Sequence, residues 1–119
     1  MTNPGRVSER AVLDLAGLAA RARQVVSGTD QVRTALRNRK VRLVVLAADS
    51  AVGQQEKLIP LMDALGVRYY RALSRQQLGA AIGRGPVAAL GFTQVGFAQR
   101  AQQLLDALSL PQDPAQEEV

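Results

Sequence analysis

Apolar residues recur at helical spacing through Val12, Leu15, Ala16 and Ala19. This stripe predicts an amphipathic helix from Ser8, a favourable N-cap, to about Arg23. Val25 and Val26 come next as a short β-branched pair and predict a brief strand. Gly28 then breaks the chain, and Thr29 or Ser27 can cap the next helix. In that helix Val32, Ala35 and Leu36 form the inward stripe. Asp30, Arg33, Thr34 and Arg37 share the opposite face.

Arg42 to Ala48 reads RLVVLAA, an almost unbroken apolar run. It predicts a central strand covered on both faces. Asp49 and Ser50 end it and can cap the third helix. Gln54 to Leu65 has helical spacing, with Leu58, Ile59, Met62 and Leu65 inward. Pro60 removes one hydrogen bond there unless the regular helix starts only about three residues before it. Gly66 stops this helix, and Val67 to Leu73 predicts a further strand. Ser74-Arg75-Gln76-Gln77 is a capping-box pattern opening a short helix through Ile82. A tight loop at Gly83-Arg84-Gly85-Pro86 leads to a strand at Val87 to Leu90. A final helix from Phe92 to Leu108 carries Phe97, Ala101, Leu104, Leu105 and Leu108 as its stripe.

Strands alternating with helices predict an α/β layered fold with helices on both faces of a small sheet. The length fits one domain, placed at residues 8–108. Residues 1–7 are expected to be a flexible arm, and residues 109–119, with Asp113, Glu117 and Glu118, an acidic disordered tail.

Composition narrows the function. With no Cys and no His, the chain lacks a thiol nucleophile, a zinc–thiolate site and the usual general base near neutral pH. No cofactor, metal site or catalytic residue is expected, so the chain does not read as an enzyme. No apolar run approaches the roughly 18 residues of a membrane span. Met1 to Glu9 lacks the apolar centre of an export signal, so the expected compartment is the cytoplasm, without a membrane partner. Charge adds a positive indication. There are 15 Lys and Arg against 10 Asp and Glu, a net charge of +5. Up to position 45 the cations are opposed only by Glu9, Asp14 and Asp30. An electropositive first third steers the molecule toward a polyanion. A basic solvated face would produce the same composition.

Three places carry candidate chemistry. At Ser27-Gly28-Thr29-Asp30-Gln31 a glycine precedes a helix, so free amides at the helix start can attract phosphate or base acceptors. A plain turn with a cap accounts for the same residues, and Asp30 with Arg33 fits a local ion pair. Gly83-Arg84-Gly85-Pro86-Val87 is a stiff loop with a cation at its tip. A helix stop followed by a strand start explains it equally. Asp49 ends a central strand, where ligands of α/β sheets often lie; a helix cap is the simpler role. Tyr69 and Tyr70 alternate across a strand, which predicts one buried and one surface ring.

In order, these pieces resemble the kink-turn-binding ribosomal protein superfamily, which includes archaeal L-seven-Ae and eukaryotic L-thirty-e proteins. The resemblance rests on LAGLAARAR from Leu15, SGTDQV from Ser27, LVVLAAD from Leu43, IPLM from Ile59 and LGAAIG from Leu78. It covers about Leu13 to Leu105. The wording around Leu15 to Gly28 and Leu78 to Gly83 looks closest to the bacterial YlxQ branch. The resemblance implies a three-layer α-β-α sandwich around a mixed four-stranded sheet, and a Pro60 tolerated within its helix. It also implies a ribosomal or other structured-RNA partner, bound at a kinked internal loop.

In the family a Gly-x-Asn-Glu-x-x-Lys segment opens the second helix and reads sheared guanine–adenine pairs. The loop before the last strand contacts a splayed-out nucleotide. Here Gly28 matches the glycine, Thr29 the variable place, and Gln31 a place for glutamate or glutamine. Asp30 stands where asparagine is common and Thr34 where lysine is expected. An ionised Asp30 cannot donate a hydrogen bond and repels phosphate. Loss of one such contact costs about 1–3 kcal/mol, so these departures predict weakened kink-turn binding. The expected RNA surface comprises Gly28, Thr29, Asp30, Gln31, Arg33, Thr34 and Arg37, then Arg39 and Lys40, and the loop Gly83, Arg84, Gly85, Pro86 and Val87. The alternative is a protein–protein interaction module on the same scaffold that no longer reads bases. Oligomeric state stays open.

Overall fold

The computed structural model describes residues 4–109, with side chains over 9–108. Five helices and four strands alternate: α1 (Pro4–Arg21), β1 (Val25–Ser27), α2 (Thr29–Arg37), β2 (Leu43–Leu46), α3 (Val52–Leu65), β3 (Arg68–Arg71), α4 (Arg75–Ala81), β4 (Ala89–Phe92) and α5 (Val95–Ser109). The strands form one sheet in the order β1-β4-β2-β3. β4 runs antiparallel to both β1 and β2, and β2 runs parallel to β3. The sheet is therefore mixed, as the resemblance implied.

Burial follows the period-two geometry of strands. Leu43, Val45, Leu90 and Phe92 enter one core, with Val12, Ala16 and Ala19 of α1, Leu78 of α4 and Ala98, Ala101 and Leu105 of α5. Val44, Leu46 and Ala89 enter a second core, with Val32, Ala35 and Leu36 of α2 and Leu58 and Met62 of α3. Helices α1, α4 and α5 thus cover one face, and α2 and α3 the other. The two central strands are buried throughout, while the edge strands are only partly covered.

Several boundaries differ from expectation, each for a local reason. Helix α1 begins at Pro4, not at Ser8, so residues 4–7 of the expected arm are helical. Proline is well suited to a first helical position, since its missing N–H has no intrahelical partner to lose. Residues 1–3 and the tail from 110 onward lie outside the described residues. Helix α3 runs through Pro60. Pro60 and Glu56, whose carbonyl loses its donor, are both exposed. The last strand is Ala89–Phe92, later than Val87–Leu90. Gly91 and Phe92 pair with β1 and β2 on both sides, although glycine is a poor strand former. A Cβ on Gly91 would stand 3.1 Å from Val26, so glycine suits this crowded register. The tyrosines do not divide into buried and surface rings. Both are half-buried, Tyr70 against the first core and Tyr69 against the second.

The helix ends share one design. At α3, Val67 N–H reaches Met62 O and Gly66 N–H reaches Asp63 O, with Gly66 at φ 70°. This paired closure around a left-handed residue recurs at α4 with Gly83. It recurs at α1 and α2 as well, but there the left-handed residues are Arg23 (φ 60°) and Arg39 (φ 57°).

Candidate nucleic-acid interface

The start of α2 is held without a side-chain cap. Gly28 occupies the N-cap at φ 97°, and neither Ser27 nor Thr29 caps the helix. This corrects the expected cap. Thr29 is instead the first helical residue, and its Oγ1 is buried without a hydrogen-bond partner. The Gly28 N–H donates to Ala89 O at 2.9 Å, which ties the helix start to β4. The first intrahelical bond runs from Val32 N–H to Gly28 O, 2.9 Å. The amides of Thr29, Asp30 and Gln31 therefore lack intrahelical acceptors and carry the positive end of the helix dipole. Gln31 Oε1 lies only 2.6 Å from where a Gly28 Cβ would stand. The positive φ favours glycine here, whereas the Gln31 carboxamide end is flexible and could move aside for a Cβ.

The bend between α4 and β4 is built against the helix before it. Ser74 and Gln77 form the expected capping box at the other end of α4. Arg84 N–H reaches back to Gly79 O at 2.8 Å. Gly85 O sits 1.8 Å from the position of a Gly79 Cβ, so the bend closes directly over that glycine. Gly83, Arg84, Gly85 and Pro86 are exposed, whereas Val87 is buried and its N–H donates to Arg75 O.

These two elements face each other. Gly28 and Thr29 line one hollow of about 370 Å³ with Arg84, Gly85, Pro86 and Val87. Arg84 also lines an adjacent hollow of about 370 Å³ with Gln31, Ser27 and Arg23. Along α2, Asp30, Thr34 and Arg37 are exposed on one stripe and Arg33 is half-buried beside it. No ion pair joins Asp30 to Arg33 among the described residues; the pairs formed there are Arg10–Asp14 and Arg75–Asp49. Arg39 and Lys40 do not reach this place. They follow the C-terminus of α2, about 15 Å along the helix axis from Gly28. Arg39 lines a separate hollow with Arg42 and Gly66.

Asp49 has a different role from capping α3, which starts from Ala51 without a side-chain cap. Asp49 Oδ1 accepts from Arg75 N–H at 2.8 Å, and Oδ2 lies 3.7 Å from Arg75 Nε. It thus fixes the start of α4 and, through it, the base of the bend. No group of three metal-ligating residues occurs among the described residues. Sequence reasoning missed Arg23 and Gln54 as lining residues. Arg23 follows a helix and Gln54 opens one, and neither position carries a pattern that announces a hollow.

Known proteins resemble this chain in sequence and in fold. A protein of Bacillus subtilis (strain 168) named RNA-binding protein YlxQ is 38% identical over 92 residues, covering 77% of this chain and 92% of that protein. A solved structure of a Bacillus halodurans C protein of unknown function superposes with a TM-score of 0.77 at 36% identity, covering 80% of this chain and 96% of the other. The Giardia lamblia 15.5kD RNA binding protein shares the fold, with a TM-score of 0.71 at 17% identity and 92% of each chain covered. Residues 10–102 match one family throughout, and the chain belongs to the Ribosomal protein L7Ae/L30e/S12e/Gadd45 family.

Proposed function

We propose that this protein is a non-enzymatic binder of structured RNA, ribosomal or otherwise, that grips a kinked internal loop across the hollow between α2 and the α4–β4 bend. The carrying observation is the uncapped start of α2 facing the glycine-rich bend, with Arg84 between them. Free amide N–H groups donate to phosphate or base oxygens there, and Gln31 offers both a donor and an acceptor. RNA exposes its bases best at loops and bulges, which such a recess fits. Arg33, Arg37 and Arg84 form no ion pair among the described residues, so their charge is available for phosphate. The YlxQ relative is named for RNA binding, which supports the same reading.

Asp30 and Thr34 are both exposed on the face that would meet the RNA. This favours modest selectivity for kink-turns over other structured RNAs. It also keeps open a reading as a protein-interaction module that has given up base reading. Fluorescence titration against a kink-turn RNA, a plain duplex and a single strand, at two salt concentrations, tests the proposal. The expected order is kink-turn first, with affinity falling as salt rises. Absence of salt-dependent binding to all three would overturn it.

A further inference from the structure

Arg39-Lys40-Val41-Arg42 places three cations in four positions. All three are exposed, whereas Val41 is buried. None of them forms an ion pair among the described residues. The hollow between α2 and the bend does not use them. Gly28 N–H is bonded to Ala89 O, at the start of β4, and Arg42 N–H to Phe92 O, at its end. The two places therefore lie at opposite ends of that strand. At this second pole Arg39 and Arg42 border a hollow with Leu36, Val41, Leu65 and Val67 as its apolar part.

The turn itself does not ask for an arginine. Arg39 N–H bonds Leu36 O at 2.9 Å and Lys40 N–H bonds Ala35 O at 3.0 Å, which closes α2 around a left-handed Arg39, φ 57°. The same closure at α3 and α4 uses glycine. A left-handed conformation is unfavourable for a residue with a Cβ. Cations here also offset the negative end of α2, a role that needs no partner. Charge decides between the two roles. The negative ends of α2 and α3 together amount to about one charge, and the last turn of α3 adds one acid, Asp63. Arg39, Lys40 and Arg42 outweigh both, so the pole keeps a positive excess.

We propose that this pole is a second RNA contact, which holds the phosphate backbone of a separate duplex segment, so that one molecule bridges two RNA segments. Leu36 and Val41 are buried, and Leu65 and Val67 half-buried, so what the pole presents to a partner is charge. Charge without an exposed apolar centre suits phosphates better than a protein face. Among the described residues that line the hollow none is aromatic, so it offers no platform for stacking a single strand. A duplex, recognised through its backbone, fits such a surface. The proposal rests on the reading of the protein as an RNA binder and adds a second, independent place of contact.

The test is whether two RNAs bind at once. Wild-type protein saturated with unlabelled kink-turn RNA should still bind a fluorescent RNA duplex, and the two RNAs should co-sediment only when the protein is present. The decisive variant combines Arg39→Gly, Lys40→Gln and Arg42→Gln. Its duplex affinity in the saturated state should fall at least on the order of tenfold and its salt slope by about three, one for each phosphate contact, with kink-turn affinity held within about twofold. Arg39→Gly alone suits the left-handed turn, so its thermal midpoint should stay level or rise while its duplex salt slope falls by about one. Displacement of the duplex by the kink-turn RNA, or wild-type duplex binding in the triple variant, would overturn the second contact while leaving RNA binding standing. Preference of the saturated protein for polyglutamate over duplex would overturn it in favour of an acidic protein partner. A wild type without salt-dependent binding to any RNA would instead remove the reading underneath.

Discussion

Gly85 closes over Gly79 so tightly that its carbonyl oxygen stands 1.8 Å from the site of a Cβ on Gly79. The bend therefore lies directly on α4, with no room for a side chain between them. Gly79→Ala should push the bend outward and cost about 1–3 kcal/mol in denaturant unfolding. RNA affinity, measured where the variant is still folded, should fall with it. Gly83→Ala meets no atom within 4 Å but bears a φ of 75°, so its effect should be on stability alone, about 1 kcal/mol.

Gly28 is constrained by its φ of 97°, and the movable Gln31 Oε1 stands 2.6 Å from where its Cβ would be. Gly28→Ala should displace the Gln31 carboxamide as well as strain the backbone. The expected outcome is a lower thermal midpoint together with reduced preference between RNAs in competition titrations. Unchanged preference would show that the Gln31 placement does not matter.

Arg37 and Gln31 should separate charge from reading. Arg37→Glu should weaken binding to all RNAs and flatten the salt dependence, since it replaces an exposed cation. Gln31→Ala should leave the salt slope near wild type and compress the affinity difference between kink-turn and duplex. Titrations over a salt series distinguish the two patterns.

Thr34 and Asp30 offer a gain of binding. Both are exposed on the α2 stripe that continues to Arg37. Thr34→Lys combined with Asp30→Asn removes a negative charge and adds a donor and a cation. Kink-turn affinity should rise by roughly one and a half to four orders of magnitude, following about 1–3 kcal/mol for each of the two restored contacts. A rise confined to nonspecific duplex would argue that charge alone was gained.

Tyr70 donates to Asp106 on α5 and anchors the edge strand β3 to the helix. Burial first, and then the hydrogen bond to Asp106, raise its ionisation above the ordinary 10.0. The folded state thus holds its proton more tightly than the unfolded chain does. That contribution is complete below pH 10 and fades as pH rises through the folded value. Relative to Tyr70→Phe, the wild type should lose stability between pH 10 and the raised value, read by denaturant midpoints.

Much of the fold was legible in the pattern of residues. The unbroken apolar run at Leu43 to Ala47 required a strand covered on both faces, and the alternating elements required layers. Gly66 and the Ser74–Gln77 box marked helix ends because such signals are local: they depend on backbone conformation and neighbours a few residues away. Boundaries set by distant partners were not legible. Phe92 joined β4 because Val25 and Leu43 pair with it on either side, and helical spacing beyond it had suggested a helix.

Residue types alone set the kinds of chemistry available: arginines and amides, without histidine or thiol. They also marked the two glycine-bearing segments. That these segments share a hollow, that Arg39 and Lys40 stand away from it, and that Arg23 borders it emerged only once the chain was folded. Adjacency across the sheet is set by strand order, through the β1–β4 pairing that brings Gly28 N–H to Ala89 O. Packing of both apolar faces fixes that order, and no local run of residues encodes it alone.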